Sequence, residues 1–127
     1  MIPKFRIWDK IDREIIHVDG IDFERKTVRT ADVVVPFAEC VLMQSTGLFD
    51  KNGVEIFEGD VVKYTEDEMT AIIRMHPILG MGIEAEGEVA WADIDLEELT
   101  ELKEECEKYY EVIGNVWEDG DLFDSKN

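Results

Sequence analysis

Residues 42–64 read LMQSTGLFDKNGVEIFEGDVVKY, and this stretch contains two apolar runs separated by turn residues. The segment Asp50-Lys51-Asn52-Gly53 supplies residues that tolerate a positive φ, which a tight hairpin connection requires. A second corner, Glu58-Gly59-Asp60, precedes another run that is typical of a strand. The stretch therefore predicts a β-hairpin followed by a turn into a further strand.

Strand-like runs and turns continue on both sides of this stretch. Before it, strands are predicted over residues 4–8, 14–18, 23–30 and 33–36, with a turn at Asp19-Gly20. After it, strands are predicted over residues 70–75, 78–83, 88–92 and 110–117, and Gly80 and Gly82 indicate a bend or bulge. Leucines recur at near-helical spacing from Leu96 onward, which predicts one amphipathic helix over residues 96–108. Together these patterns indicate a small barrel or strongly bent sheet with one inserted helix.

The charge is strongly acidic and unevenly distributed. The net charge is −18, with 35% charged and 45% hydrophobic residues. Residues 1–64 carry 9 Lys or Arg and 12 Asp or Glu, whereas residues 65–127 carry 4 and 19. Such an excess repels nucleic-acid backbones and attracts basic partners or cations. Direct DNA binding is therefore disfavoured, despite the basic group of Arg25, Lys26 and Arg29.

Other classes of function lack their usual motifs. Cys40 and Cys106 are far apart and show no metal-ligand spacing, and the chain contains no nucleophile elbow or phosphate-binding loop. We expect reduced thiols in a cytosolic protein. No apolar run approaches the roughly 20 residues of a membrane span. We therefore predict a soluble cytoplasmic protein with no catalytic residues and no cofactor.

Three segments together resemble the YopX family, small proteins encoded mainly by bacteriophages and prophages. They are KFRIWDK at residues 4–10, the stretch at residues 42–64 with its LMQ, TGL, DKNG and EGD elements, and YEVIGNVWED at residues 110–119. All three occur in the expected order, so the resemblance covers most of the chain. It implies no settled reaction, cofactor or partner.

The resemblance implies a mainly β protein with an SH3-like barrel in its C-terminal part. On this basis we expect one YopX-like domain, with an N-terminal bent sheet over residues 1–57 and a barrel over residues 58–118. The helix at residues 96–108 is an insertion in the barrel. An acidic tail follows at residues 119–127.

Four carboxylates cluster in the hairpin region, at Asp50, Glu55, Glu58 and Asp60. Hard cations favour clustered oxygens, so Asp50, Glu58 and Asp60 are candidate Mg²⁺ or Mn²⁺ ligands of an enzyme acting on nucleic acid. Aspartates at turns, however, commonly bind their own backbone. We favour this structural role for the carboxylates, and likewise for the two histidines, His17 and His76.

The tryptophans admit two interpretations. Trp8, Trp91 and Trp117 suit either a peptide-binding aromatic face or a buried core. Because Trp8 and Trp117 alternate with polar neighbours, we favour core packing for both. An exposed Phe49 at the hairpin tip would instead indicate a contact surface.

The acidic helix carries the strongest functional signal. Its glutamates cover the faces away from the leucines: Glu97, Glu98, Glu101, Glu104, Glu105 and Glu107. Like charges at i and i+4 destabilise a helix by a few tenths of a kcal/mol. We predict a non-enzymatic interaction module whose surface includes Phe49, Glu97, Glu98, Glu101, Glu104 and Glu105, and whose partner is a protein with a basic surface.

Alternatives remain open. The acidic half is also consistent with mimicry of a phosphate backbone, which would inhibit a DNA- or RNA-binding protein. The metal-dependent enzyme named above is a second alternative. Exposed strand edges further allow self-association into a homo-oligomer.

Overall fold

The computed structural model describes residues 4–66, 68–76, 80–85, 87–91 and 96–118, with the backbone alone at residues 80, 90, 91 and 96–99. These residues form twelve strands, one 3₁₀ turn and one α-helix, so the protein is mainly β as predicted. The strands are β1 (Phe5–Asp9), β2 (Glu14–His17), β3 (Gly20–Asp22), β4 (Thr27–Arg29), β5 (Val34–Pro36), β6 (Cys40–Phe49), β7 (Glu55–Phe57), β8 (Asp60–Tyr64), β9 (Thr70–His76), β10 (Gly80–Ala85), β11 (Glu88–Trp91) and β12 (Tyr110–Asn115). The 3₁₀ turn is Phe37–Glu39 and the helix α1 is Leu96–Tyr109.

The chain divides into two compact units, Met1–Ser45 and Thr46–Asn127. The division falls inside β6, so this ten-residue strand contributes its first part to one unit and its end to the other. The boundary at residues 57 and 58, which the family resemblance implies between an N-terminal sheet and a barrel, stays a prediction. The hairpin belongs with the second unit because its turn is hydrogen-bonded to β12, from Lys51 N to the Tyr110 carbonyl oxygen at 2.9 Å.

The first unit contains antiparallel pairings of short strands. β1 pairs with β2 on one side and with the first part of β6 on the other, so Ile7 lies opposite both Ile16 and Leu42. β3, β4 and β5 form a three-stranded sheet in that order. Four buried residues from β1, β4, β5 and β6 form a hydrophobic cluster: Ile7, Val28, Val35 and Cys40. This cluster thus joins strands from the beginning, middle and end of the unit.

The second unit is built on a five-stranded antiparallel sheet with the order β11-β10-β9-β8-β12. The chain runs through β8, β9, β10 and β11, forms α1, and returns as β12 beside β8. Leu102 and Cys106 of α1 pack against a cluster of Leu48, Ile56, Val62 and Ile73. The helix predicted over residues 96–108 is therefore present, and Leu102 and Cys106 on its apolar side lie on the core.

Two predictions in the first unit differ from the structure. The turn predicted at Asp19-Gly20 is present only at Asp19, a bend after β2, because Gly20 already begins β3 and pairs with Arg29 of β4. The strand predicted over residues 23–30 contains only β4, because residues 23–26 form a turn. In that turn the Asp22 carboxylate accepts a hydrogen bond from the backbone N–H of Arg25 at 3.0 Å.

Two further predictions in the second unit differ from the structure. Gly80 and Gly82 pair with β9 in regular register, and the shift that marks a β-bulge lies in β12, between Val112 and Gly114. The last strand ends at Asn115, because the Asn115 side chain accepts backbone hydrogen bonds from the two residues 117 and 118 and turns the chain. Trp117 follows this strand end and is 40% exposed, so its predicted core position is wrong.

Candidate functional site

Asp50 lies in the turn between β6 and β7 and is 2% exposed. Its Oδ1 atom accepts hydrogen bonds from the backbone N–H groups of Asn52 at 2.8 Å and Val54 at 2.9 Å. Its Oδ2 atom accepts a third from the backbone N–H of Val112 at 2.9 Å. Charge-assisted bonds of this kind are stronger than neutral ones. The carboxylate therefore fixes the turn and joins it to β12.

The Glu58-Gly59-Asp60 corner has an equally structural role. Gly59 has φ 84°, and its backbone N–H donates to the Ile73 carbonyl oxygen at 2.8 Å. The Gly59 carbonyl oxygen accepts from Val116 N at 2.9 Å. Asp60 is 1% exposed, and its Oδ2 atom accepts from Phe57 N at 2.8 Å. The corner is thus held by backbone hydrogen bonds and starts β8.

The hairpin carboxylates do not come together as a set of metal ligands. Across the described ranges, no group of three His, Cys, Asp or Glu side chains is placed to hold a metal ion. Both oxygens of Asp50 already accept backbone N–H groups, and Asp60 is directed at the backbone of Phe57. The structural role that the sequence favours for Asp50 and Asp60 is therefore confirmed.

The histidines and cysteines occupy different environments. His17 and His76 end β2 and β9 and are exposed. Cys40 and Cys106 are free thiols and are buried. Burial raises the pKa of the Cys40 thiol, with Asp9 adding to the effect. Burial, followed by Glu105 and Glu107, raises the pKa of the Cys106 thiol to about 12. Both thiols are therefore protonated at neutral pH and are poor nucleophiles.

Phe49 is the last residue of β6 and is 38% exposed. Successive side chains of a strand point to opposite sides, so Leu48 enters the core while Phe49 faces away from it. Val54, on the far side of the turn, is also exposed. The hairpin therefore carries an apolar surface at the position where the sequence predicted one.

The acidic helix face comprises Glu101, Glu104 and Glu105, which are exposed side chains of α1. Lys103 lies 4.0 Å from Glu107, and Lys108, which is also exposed, follows Glu104 by four residues and Glu105 by three. Glu97 and Glu98 lie in the first turn of the helix, and their side chains are outside the described residues. No helix in the described part of the chain is long and apolar enough to cross a membrane.

A cavity of about 250 Å³ lies in the second unit. We call it the β8–α1 cavity, and its lining residues are Val62, Tyr64, Met69, Thr70, Ala71, Ile83, Ala85, Glu105 and Tyr110. The Tyr64 and Tyr110 rings meet edge to face, with centroids 5.6 Å apart, and Tyr109 lies 5.5 Å from Tyr64. Sequence analysis did not identify this cavity. The Tyr109-Tyr110 pair at the end of the predicted helix was its only local signal.

Trp8 is buried, as predicted, and the guanidinium of Arg13 lies 5.7 Å from the centre of its ring. The side chain of Trp91 is outside the described residues. With Trp117 exposed after β12, the tryptophans do not share one environment. Because Trp8 is buried, it is not part of an exposed aromatic binding face.

The described residues define a small, mainly β protein with one helix. The family model described as "YopX protein" matches residues 4–124. The chain therefore belongs to the YopX family, as its three sequence segments predicted.

A solved structure is similar over nearly the whole chain. It is the crystal structure of protein EF1440 from Enterococcus faecalis, with 28% sequence identity and a TM-score of 0.58. The similarity covers 96% of this chain and 98% of that one. A comparison with curated proteins finds no significant match.

Proposed function

We propose that this protein is a phage or prophage accessory protein that works in the host cytoplasm as a non-enzymatic interaction module. Its partner is a protein with a basic surface. Membership of the YopX family supports the phage or prophage origin. The observation that carries the proposed binding role is the acidic helix face, with Glu101, Glu104 and Glu105 exposed on one side of α1.

The like charges of this face are only partly balanced within the helix, where Lys108 follows Glu104 by four residues and Glu105 by three. Glu101 and Glu105 are four residues apart, and Glu101 and Glu104 are three apart, so the like charges are neighbours on the helix surface. Each such pair costs a few tenths of a kcal/mol. A basic partner would relieve this repulsion on binding. Its approach would also be accelerated by the field of a molecule with a net charge of −18.

The architecture of the second unit suits a binding scaffold. Four consecutive strands, β8 to β11, form a meander, and β12 returns to the free side of β8. This order supports an SH3-like barrel, in which the last strand pairs with the first. The glutamates of the helix in the β11–β12 connection are then held in a fixed position, since Leu102 and Cys106 pack the helix on the core.

Affinity capture from host cells tests the proposal. The tagged protein should retain a partner whose capture decreases as salt is raised, because exposed charges are screened. The triple variant Glu101→Gln, Glu104→Gln, Glu105→Gln should weaken binding of that partner about tenfold, since exposed ion pairs contribute about 0.2–1 kcal/mol each.

A matched control removes the same charge elsewhere. Asp12, Glu24 and Asp32 are exposed residues of the first unit. The triple variant Asp12→Asn, Glu24→Gln, Asp32→Asn should bind within about twofold of wild type. Equal weakening by both triple variants, or capture that is insensitive to salt, would contradict the role of the acidic helix face.

The uneven charge favours a second candidate, a mimic of the phosphate backbone that inhibits a nucleic-acid-binding protein. Residues 65–127 carry 19 acidic and 4 basic residues, which is a high density for one small unit. On this hypothesis the captured partner itself binds DNA or RNA. Excess duplex DNA should then release it from the tagged protein, whereas a partner of the general interaction module would stay bound.

A further inference from the structure

The β8–α1 cavity combines three kinds of surface. Apolar side chains form most of its wall, with Val62, Ala71, Ile83 and Ala85 from the sheet and Met69 beside them. Tyr64 and Tyr110 add two aromatic rings whose planes are 83° apart. Glu105, an exposed member of the acidic helix face, adds a carboxylate. An apolar wall, two aromatic rings and a carboxylate are therefore available to one ligand.

The size of the cavity limits what can enter. Pockets for drug-sized ligands span about 300–1,000 Å³, and this cavity measures about 250 Å³. It is therefore small for a nucleotide or a comparable cofactor. A single long side chain, by contrast, requires only part of such a volume.

We propose that the β8–α1 cavity receives a lysine or arginine side chain from the basic protein partner, an inference that rests on the proposed function. Both side chains combine a long apolar stem with a cationic head. The stem would lie along Val62, Ala71 and Ile83. The head would lie near the rings of Tyr64 and Tyr110, whose faces attract cations, and near the Glu105 carboxylate.

The placement of Glu105 supports this arrangement. Its neighbour Cys106 is buried in the core, so the backbone of α1 at this point is held against the sheet. Glu104 is also exposed and one residue away, but it is not among the residues that line the cavity. Glu104 and Glu105 are therefore a matched pair that separates a specific role of the cavity from a general effect of charge.

A titration monitored by NMR tests the site without the partner. The probe is Nα-acetyl-lysine methylamide, and its neutral counterpart Nα-acetyl-norleucine methylamide has a stem of similar length. The lysine probe should shift the methyl signals of Ile83 and Ala85 in a saturable way, with an affinity in the millimolar range. Glu105→Gln should weaken this binding about two- to fivefold, and Glu104→Gln should weaken it clearly less, by under about twofold.

A second variant tests the volume itself. Ala85→Phe places a ring in the cavity and should abolish binding of the lysine probe, with the methyl spectrum away from the cavity confirming the fold. Equal binding of the norleucine probe, or equal weakening by Glu105→Gln and Glu104→Gln, would overturn the inference.

The two proposals can fail separately. A salt-sensitive partner that is captured equally well by Glu105→Gln and Glu104→Gln, with no binding of the lysine probe, rejects the cavity and leaves the proposed function standing. Saturable binding of the lysine probe in a protein that captures no partner rejects the proposed function and leaves the cavity as a site for cationic side chains.

Discussion

Val112 donates its backbone N–H to the Asp50 carboxylate at 2.9 Å, across 62 residues of sequence. The same carboxylate accepts the backbone N–H groups of Asn52 and Val54 within the turn. The turn after β6 is therefore a tertiary feature as well as a local one. Its geometry depends on a strand that the chain forms much later.

Replacing Asp50 should be among the most destabilising changes in the second unit. Asp50→Ala leaves three backbone N–H groups without their acceptor, which should lower the free energy of unfolding by about 3–5 kcal/mol. Asp50→Asn keeps one acceptor oxygen and should cost less, about 1–3 kcal/mol. Urea denaturation followed by circular dichroism measures both. Asp32→Ala, at an exposed site, is the control and should change stability by less than about 0.5 kcal/mol. A loss below about 1 kcal/mol for Asp50→Ala would contradict the structural role.

Titration with divalent cations separates the interaction module from the metal-dependent enzyme. We expect no saturable heat on addition of Mg²⁺ or Mn²⁺, because Asp50 and Asp60 accept backbone N–H groups inside the fold. Isothermal titration calorimetry makes the measurement. Binding that is lost in Asp60→Asn, with the fold retained, would instead support the enzyme.

Cys106 should make stability depend on pH in the alkaline range. The folded protein holds the thiol pKa at about 12, against an ordinary value of 9.0. Above pH 9.0 the unfolded chain loses this proton while the folded one keeps it, so ionisation favours unfolding. The stabilisation linked to the Cys106 thiol is fully present below pH 9.0 and is lost as pH rises from there toward 12.

A comparison with Cys106→Ala isolates this effect. The free-energy difference between wild type and Cys106→Ala should shrink by about 1–2 kcal/mol between pH 8 and pH 10.5. The tyrosines, the lysines and Cys40 are common to both proteins, so their titration largely cancels. Urea denaturation at the two pH values gives the difference. A difference that stays constant would show that the thiol is not held protonated by the fold.

Gly53 tests the backbone requirement of the turn. Its φ is 79°, and a Cβ atom placed there meets no atom within 4 Å. A substitution should therefore cost backbone strain alone. Gly53→Val should lose about 1–2 kcal/mol, and Gly53→Asn less than about 1 kcal/mol, because Asn tolerates this conformation. Thermal denaturation ranks the variants. Gly87, with φ 84° and equally open surroundings, should give the same order.

Local patterns account for the parts of the fold that the sequence predicted. The turn residues at 50–53 and the leucine spacing of α1 are properties of short segments, and both led to the correct elements. β3 was missed because Gly20–Asp22 has little apolar pattern, and its strand state comes from pairing with β4. Trp117 was misplaced because Asn115 ends β12 through side-chain hydrogen bonds that alternation does not reveal.

The candidate sites likewise divide into those that local sequence patterns reveal and those that depend on contacts between distant segments. The exposure of Phe49 and of the glutamates at 101, 104 and 105 follows from alternation and helix periodicity, so the sequence identified them. The β8–α1 cavity joins Tyr64 to Tyr110 only because β8 and β12 are paired, with these two residues opposite each other. No local pattern in a single sequence contains that pairing.

The return of β12 to β8 also has a consequence for biosynthesis. On the ribosome, β8 to β11 emerge before β12, so one side of β8 and the third donor to Asp50 stay unfilled until residues 110–115 have been made. The second unit therefore completes its sheet only after residues 110–115 have been made. A nascent chain stalled before residue 110 should retain a loosened turn at Asp50 and an open strand edge that chaperones can recognise.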